Sequence, residues 1–143
     1  MSNKFHEIIT KHADALDLNI HYDNEHMISV MFNMEGGRSQ RVVVMRHPSE
    51  SGNSDIVEIA SAVLDVSSMP DQMLGTSMAL RLLRENDKSL CAGWALDKVG
   101  GCHLVAMGNW WLDDLDTEEF ATTLYGVAQM ADGLESQLGV DNF

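Results

Sequence analysis

Residues 27–47 read MISVMFNMEGGRSQRVVVMRH, and the reading of this stretch decides the fold class. MISVMFNM (27–34) and SQRVVVMRH (39–47) are rich in apolar and β-branched residues, and EGGR between them is a hairpin turn signal. Side chains alternate across a strand. Ile28, Val30, Phe32, Val42 and Val44 therefore share one face, and Met27, Met31, Val43 and Met45 share the other. An antiparallel sheet with one solvated face reads polar on that face. Here it reads methionine-rich, and methionine is a flexible side chain that adapts to varied partners. Either a helix or a second subunit covers this face, or it is a binding surface.

Upstream, residues 3–16 place Phe5, Ile8, Ile9, His12, Ala13 and Leu16 on one helical face, with Ser2 or Asn3 as cap. LNIHYD (18–23) alternates as a strand. Downstream, IVEIASAVLDV (56–66) has no helical stripe and reads as a further strand. A second helix starts near Pro70 and runs to about Asn86. Met73, Leu74, Met78, Leu80, Leu82 and Leu83 surround most of its circumference, so it is covered on several sides. CAGWALD (91–97) and CHLVAMGN (102–109) flank KVGG as a second hairpin. The order is α-β-β-β-(β)-α-β-β-α in a single domain over 1–143. This is an α+β fold, an antiparallel sheet with flanking helices.

WWLDDLDTEEFATTL (110–124) carries five carboxylates, Asp113, Asp114, Asp116, Glu118 and Glu119. Phe120, Leu124, Val127, Ala131, Leu134 and Leu138 then follow helical spacing, and Gly139 is a plausible stop. Asp116 and Glu119 have capping-box spacing, Leu115 and Phe120 fit a hydrophobic staple, and acids in a first turn suit the helix dipole. The cluster reads as a helix start. It lacks the spacing of a calcium loop.

Composition narrows the function. The chain has 143 residues, 22 acids and 9 bases, for a net charge of −13. A nucleic acid would be repelled. No apolar run is long enough for a membrane helix, and the N-terminus lacks a secretory h-region, so cytoplasmic residence is expected. The two cysteines, Cys91 and Cys102, would lie roughly 15–20 Å apart across the second hairpin and are expected to be buried, reduced thiols. The chain has no G-x-S-x-G, P-loop or G-x-G-x-x-G motif, and its six histidines do not have metal-ligand spacing. No catalytic residue, metal or cofactor is assigned. The tandem Trp110-Trp111 puts one ring on each face of its strand.

The stretch LLRENDKSLCAGWALDKVGGCHLVAMGNWWLDDLDTEEFATTLYGVAQMADGLESQL resembles the type III secretion chaperone-like superfamily, which includes the CesT-type chaperones and the YbjN family. The matching residues are Leu82-Leu83-x-x-Asn86, Gly93, Leu96-Asp97, Leu112, Leu115-Asp116, Phe120, Leu124, Ala128 and Ala131-Asp132. The resemblance implies a small acidic cytoplasmic protein, often a homodimer, without catalysis. Chaperones of this kind bind a chain-terminal segment of a partner protein in extended form across apolar patches of the first helix and the sheet.

The expected function is thus a non-enzymatic, chaperone-like protein-binding module. The expected binding surface is Phe5, Ile9, Met27, Met31, Val43 and Met45, and the expected dimer interface is Met73, Met78 and Leu82 on the middle helix. The alternatives are a small enzyme using Cys102 or the acids near Asp114, and a structural subunit of an assembly.

Overall fold

The computed structural model describes residues 3–49, 54–65, 76–89, 91–97 and 103–138. Helix α1 (Lys4–Ala15) starts where the Asn3 side chain accepts a hydrogen bond from the His6 amide. It stops at Asp17, whose left-handed φ of 56° breaks the helical ladder. Strand β1 (Ile20–Asn24) leads into the hairpin of β2 (Met27–Asn33) and β3 (Ser39–His47). At the turn, Gly36 and Gly37 take φ of 74° and 77° in succession, a path that glycine follows without steric cost. Next come β4 (Ile56–Asp65), α2 (Thr76–Lys88), β5 (Gly93–Asp97), β6 (His103–Trp111) and α3 (Thr117–Leu138).

The six described strands form one antiparallel sheet in the order β1-β2-β3-β4-β6-β5. Consecutive strands pair throughout except at β4, which pairs with β6 across the intervening α2 and β5. The fold is α+β with helices flanking an antiparallel sheet, as the hairpin pattern implies.

The described helices pack on one side of the sheet, here the inner face. Ile28, Val30, Val42, Val44, Val57, Ile59, Val63 and Ala106 from the strands join Phe5 and Ile9 of α1 and Leu82 of α2 in the core. Phe120, Leu124, Val127 and Ala131 of α3 complete it. Polar contacts fix the layers. The Trp110 indole donates to Thr123 Oγ1 at 2.8 Å, and the Trp94 indole donates to Glu85 at 2.8 Å. Arg38 grips Asp132 through two hydrogen bonds of 2.9 and 3.2 Å, tying the hairpin turn to α3.

The acidic stretch begins α3 as its spacing implies. The Glu119 amide donates to Asp116 Oδ1 at 2.7 Å and the Asp116 amide to Glu119 Oε1 at 3.1 Å, a reciprocal capping box. Leu115 and Phe120 are both buried at the staple positions. Asp113 pairs with Lys4 at 2.6 Å, which lowers the Asp113 pKa and raises that of Lys4. One expectation needs correction. Cys91 is half-buried and precedes β5, so it is not a core thiol. The described part of the middle helix begins at Thr76, and Pro70, Met73, Cys102 and Gly139 lie outside the described residues.

Candidate partner-binding face

Strand alternation and register together define the outer face of the sheet. Met31 stands opposite Arg41. Ser29 pairs with Val43, which pairs with Ala60, which pairs with Met107. Met27 pairs with Met45, Met45 with Glu58 and Glu58 with Asn109. His47 pairs with Ile56 and Ile56 with Trp111. These rows carry eight apolar residues across β2, β3, β4 and β6, interrupted by Ser29, Arg41, His47, Glu58 and Asn109, and Ser29 and Ala60 in the second row are buried. No described helix lies on them: the helical core contacts come from the other side. Met31 is 58% exposed and Trp111 50% exposed, while Met27, Val43, Met45, Ile56 and Met107 are half-buried.

Of the expected surface, Met27, Met31, Val43 and Met45 stand together on this outer face. Phe5 and Ile9 do not. Both are fully buried beneath α1 on the inner face. The helical stripe of α1 is the stripe that seals the core, and periodicity cannot show which side of a sheet a helix takes. Ile56, Met107 and Trp111 complete the apolar set and were not among the expected residues. Trp111 had a visible signal, because one ring of a tandem pair must leave the core side of its strand. Ile56 and Met107 had none, because the β4–β6 pairing that brings them in is long-range.

The expected dimer residues also separate. Leu82 is buried in the chain's own core, and Met78 is half-buried against it. Their neighbours Leu80 and Leu83 are 44% and 63% exposed. Together with Leu96 at the edge of the sheet, also exposed, Leu83 borders an apolar cavity of about 310 Å³ lined by Ala79, Leu82, Trp94 and Leu104.

The polar groups of the outer face are locally paired. His21 and Arg41 contact Asp23 at 2.9 and 3.6 Å, and His47 contacts Glu58 at 3.3 Å. Burial pushes the Asp23 carboxyl up. Ser29, His21 and Arg41 together outweigh burial and hold it below the usual carboxylate range. Asp23 is therefore ionised at neutral pH. Among the described residues, no group of three histidine, cysteine or acidic side chains could hold a metal ion.

The buried histidine, His12, is part of the frame. Its Nε2 faces the Leu115 carbonyl at 3.0 Å, which can only accept, so Nε2 carries the proton and donates. Its Nδ1 then accepts from the Thr117 hydroxyl at 2.6 Å. Burial lowers the His12 pKa, which keeps this neutral tautomer. The ring stacks on Phe120 and pins α1 to the start of α3. Asp114 is exposed, and Cys102 lies outside the described residues, so the described residues assemble neither into a nucleophile–base pair.

No protein-family model matches the chain, and no curated protein sequence matches it significantly. Solved structures do match in fold. A chain of the ExsC–ExsE complex superposes with a TM-score of 0.61 at 14% identity, covering 95% of this chain and 94% of that one. The type III secretion chaperone SycH of Yersinia pestis, solved with a stable fragment of YscM2, gives 0.55 at 18% identity, covering 91% and 98%. YbjN of E. coli gives 0.51 at 13% identity, covering 90% of each chain. The fold is similar to that of these secretion chaperone and YbjN structures.

Proposed function

We propose that this protein is a non-enzymatic protein-binding module, chaperone-like in action, that holds a segment of a partner protein on the outer face of its sheet. One observation carries the reading. Apolar side chains, four methionines and an exposed tryptophan among them, lie on the side of the sheet opposite the described helices. Apolar side chains left partly exposed on a sheet face are a feature of interaction sites, and tryptophan is a common anchor of such sites. Two of the fold neighbours were solved as complexes with protein partners, which supports a role of the same kind, as a type III secretion chaperone or a YbjN-like regulator. No helix among the described residues is long and apolar enough to cross a membrane, in keeping with action on protein partners in the cytoplasm.

The test is capture of partners from the native lysate by the wild-type protein and by Met31→Asp/Met45→Asp. The wild type should retain one stoichiometric partner, and the double variant should lose it while keeping its circular dichroism and thermal transition. A double variant that unfolds would make the methionines core residues and remove the surface.

The chain is also proposed to be a homodimer. The exposed Leu80 and Leu83 of α2, beside exposed Leu96, form a second apolar patch distinct from the outer face. The contact falls on this side of α2 and not on Leu82, which is already buried. Light scattering should return twice the chain mass at micromolar concentration. A monomer there would remove the dimer.

A further inference from the structure

The sheet groups sulfur and nitrogen atoms in a way that apolar contact does not use. Met27 and Met45 are register partners on β2 and β3. The Arg46 amide donates to the His26 carbonyl at 2.8 Å, so His26 and Arg46 are the next pair of the ladder and a hydrogen-bonded one. Hydrogen-bonded and non-hydrogen-bonded pairs alternate along an antiparallel ladder. Met27 and Met45 therefore form a non-hydrogen-bonded pair, where opposed side chains come closest, with Cα atoms roughly 4.5 Å apart. His47 is two residues beyond Met45 on the same face of β3, roughly 6.6 Å along the strand. It is diagonal to Met27, roughly 7–8 Å away. Two thioethers and an imidazole thus stand at the corners of one small triangle, within reach of a common point.

The histidine is turned toward the methionines. Glu58 is the β4 partner of Met45. His47 Nε2 lies 3.3 Å from Glu58 Oε1, which draws the ring back along β3 to the row that holds both methionines. A carboxylate only accepts, so Nε2 carries a proton and donates, and in the neutral ring Nδ1 keeps its lone pair. Histidines that ligate metals are held in this way, one ring nitrogen on a carboxylate and the other toward the ion. His47 is exposed, and Met27 and Met45 are half-buried, so the three groups are open to solvent.

The identity of the ion follows from its ligands. Thioether sulfur is soft and uncharged. Calcium and magnesium take oxygen, and zinc takes thiolate, imidazole or carboxylate. Thioethers select Cu(I), which imidazole also suits. The charge favours a cation, with Glu58 beside the histidine and −13 on the chain. Val43 and Ile56 flank the group on the same face as an apolar surround. We propose that Met27, Met45 and His47 form a binding site for Cu(I), with Glu58 as the carboxylate that orients the histidine.

The test is an anaerobic titration with Cu(I), supplied as its acetonitrile complex, of protein isotope-labelled at the methionine methyl groups and read by NMR. Thiolates also bind Cu(I), so the wild type is titrated beside Cys91→Ser/Cys102→Ser. The thiol-free variant should take up about one equivalent with these soft ligands. The methyl resonances of Met27 and Met45 should move, and that of Met31, further along β2, should stay in place. The same two resonances should move in the wild type, once any competing thiol is filled. Should the thiol-free variant unfold, the wild-type resonances decide. Met27→Leu/Met45→Leu keeps the apolar bulk and should abolish the uptake. Glu58→Ala should weaken it about 10–100-fold in competition with bicinchoninate, the loss typical of an outer carboxylate. Zn(II) should leave both resonances unmoved. Still resonances at Met27 and Met45 in both proteins overturn the site, as does undiminished uptake by the leucine variant. Equal binding of Zn(II) overturns the choice of ion, and unchanged affinity in Glu58→Ala overturns the orienting role. Copper uptake needs no partner, so its failure leaves the partner-binding face standing.

Discussion

Gly108 has the least room for a side chain of the described glycines. A Cβ there would lie 2.3 Å from the Cys91 carbonyl oxygen and 2.8 Å from Thr123 Cγ2. One of these neighbours is backbone and cannot rotate away. Gly108→Ala should therefore cost about 1–3 kcal/mol by overpacking, read as a lower urea midpoint at unchanged slope. A loss below about 0.5 kcal/mol would show that the segment at Cys91 yields easily. His12 makes a second prediction at this scale. Its folded pKa lies below the ordinary 6.5 because burial disfavours the charged ring. The unfolded chain thus takes up the proton first as pH falls. The stabilisation is complete above the ordinary value and is lost as pH drops from there through the lowered folded value. Urea stability measured between pH 7.5 and 5 should fall more steeply in the wild type than in His12→Gln. Parallel curves would mean that His12 does not couple to folding. The roles of these two residues differ in how far the sequence shows them. His12 is visible on the apolar stripe of a helix, but its partners lie more than 100 positions away. Gly108 reads only as one residue of a strand.

At the scale of elements, the local signals were legible and the pairings were not. The capping box of α3, the Gly-Gly turn and the alternation of β2 and β3 all sit within a few residues of one another, so their chemistry appears in the sequence directly. Which face α1 covers depends on contacts made elsewhere, and this is why Phe5 and Ile9 could be placed on a stripe but not on a side. The Asn86 of the Leu-Leu-x-x-Asn motif shows what such a motif can conceal. Its side chain accepts from the Trp94 amide at 2.6 Å and donates to the Trp94 carbonyl at 3.2 Å, so it pairs with the free edge of β5 as a neighbouring strand would. Ser89 Oγ takes the Ala92 amide at 3.3 Å just before the strand. Open edges invite pairing between chains. Asn86→Ala should cost about 1–3 kcal/mol, the penalty for orphaned backbone groups, and should speed hydrogen exchange at the Trp94 amide. Unchanged protection at Trp94 would show that water replaces the asparagine at no cost.

Across the whole molecule, the division of labour is between two faces of one sheet. The inner face holds the described helices and the core. The outer face carries the adaptable side chains, and the proposed binding depends on that face being free when the partner arrives. The same sheet order has a consequence for how the chain is made. β4 is apolar on both faces and pairs along one side with β3, its immediate predecessor. Its other side waits for β6, about 40–55 positions further on. At a synthesis rate of roughly 5–20 residues per second, β4 spends some seconds with one long edge unpaired as the nascent chain emerges. β6 closes that gap, so the last of the described strands to leave the ribosome is the one that seals the middle of the sheet.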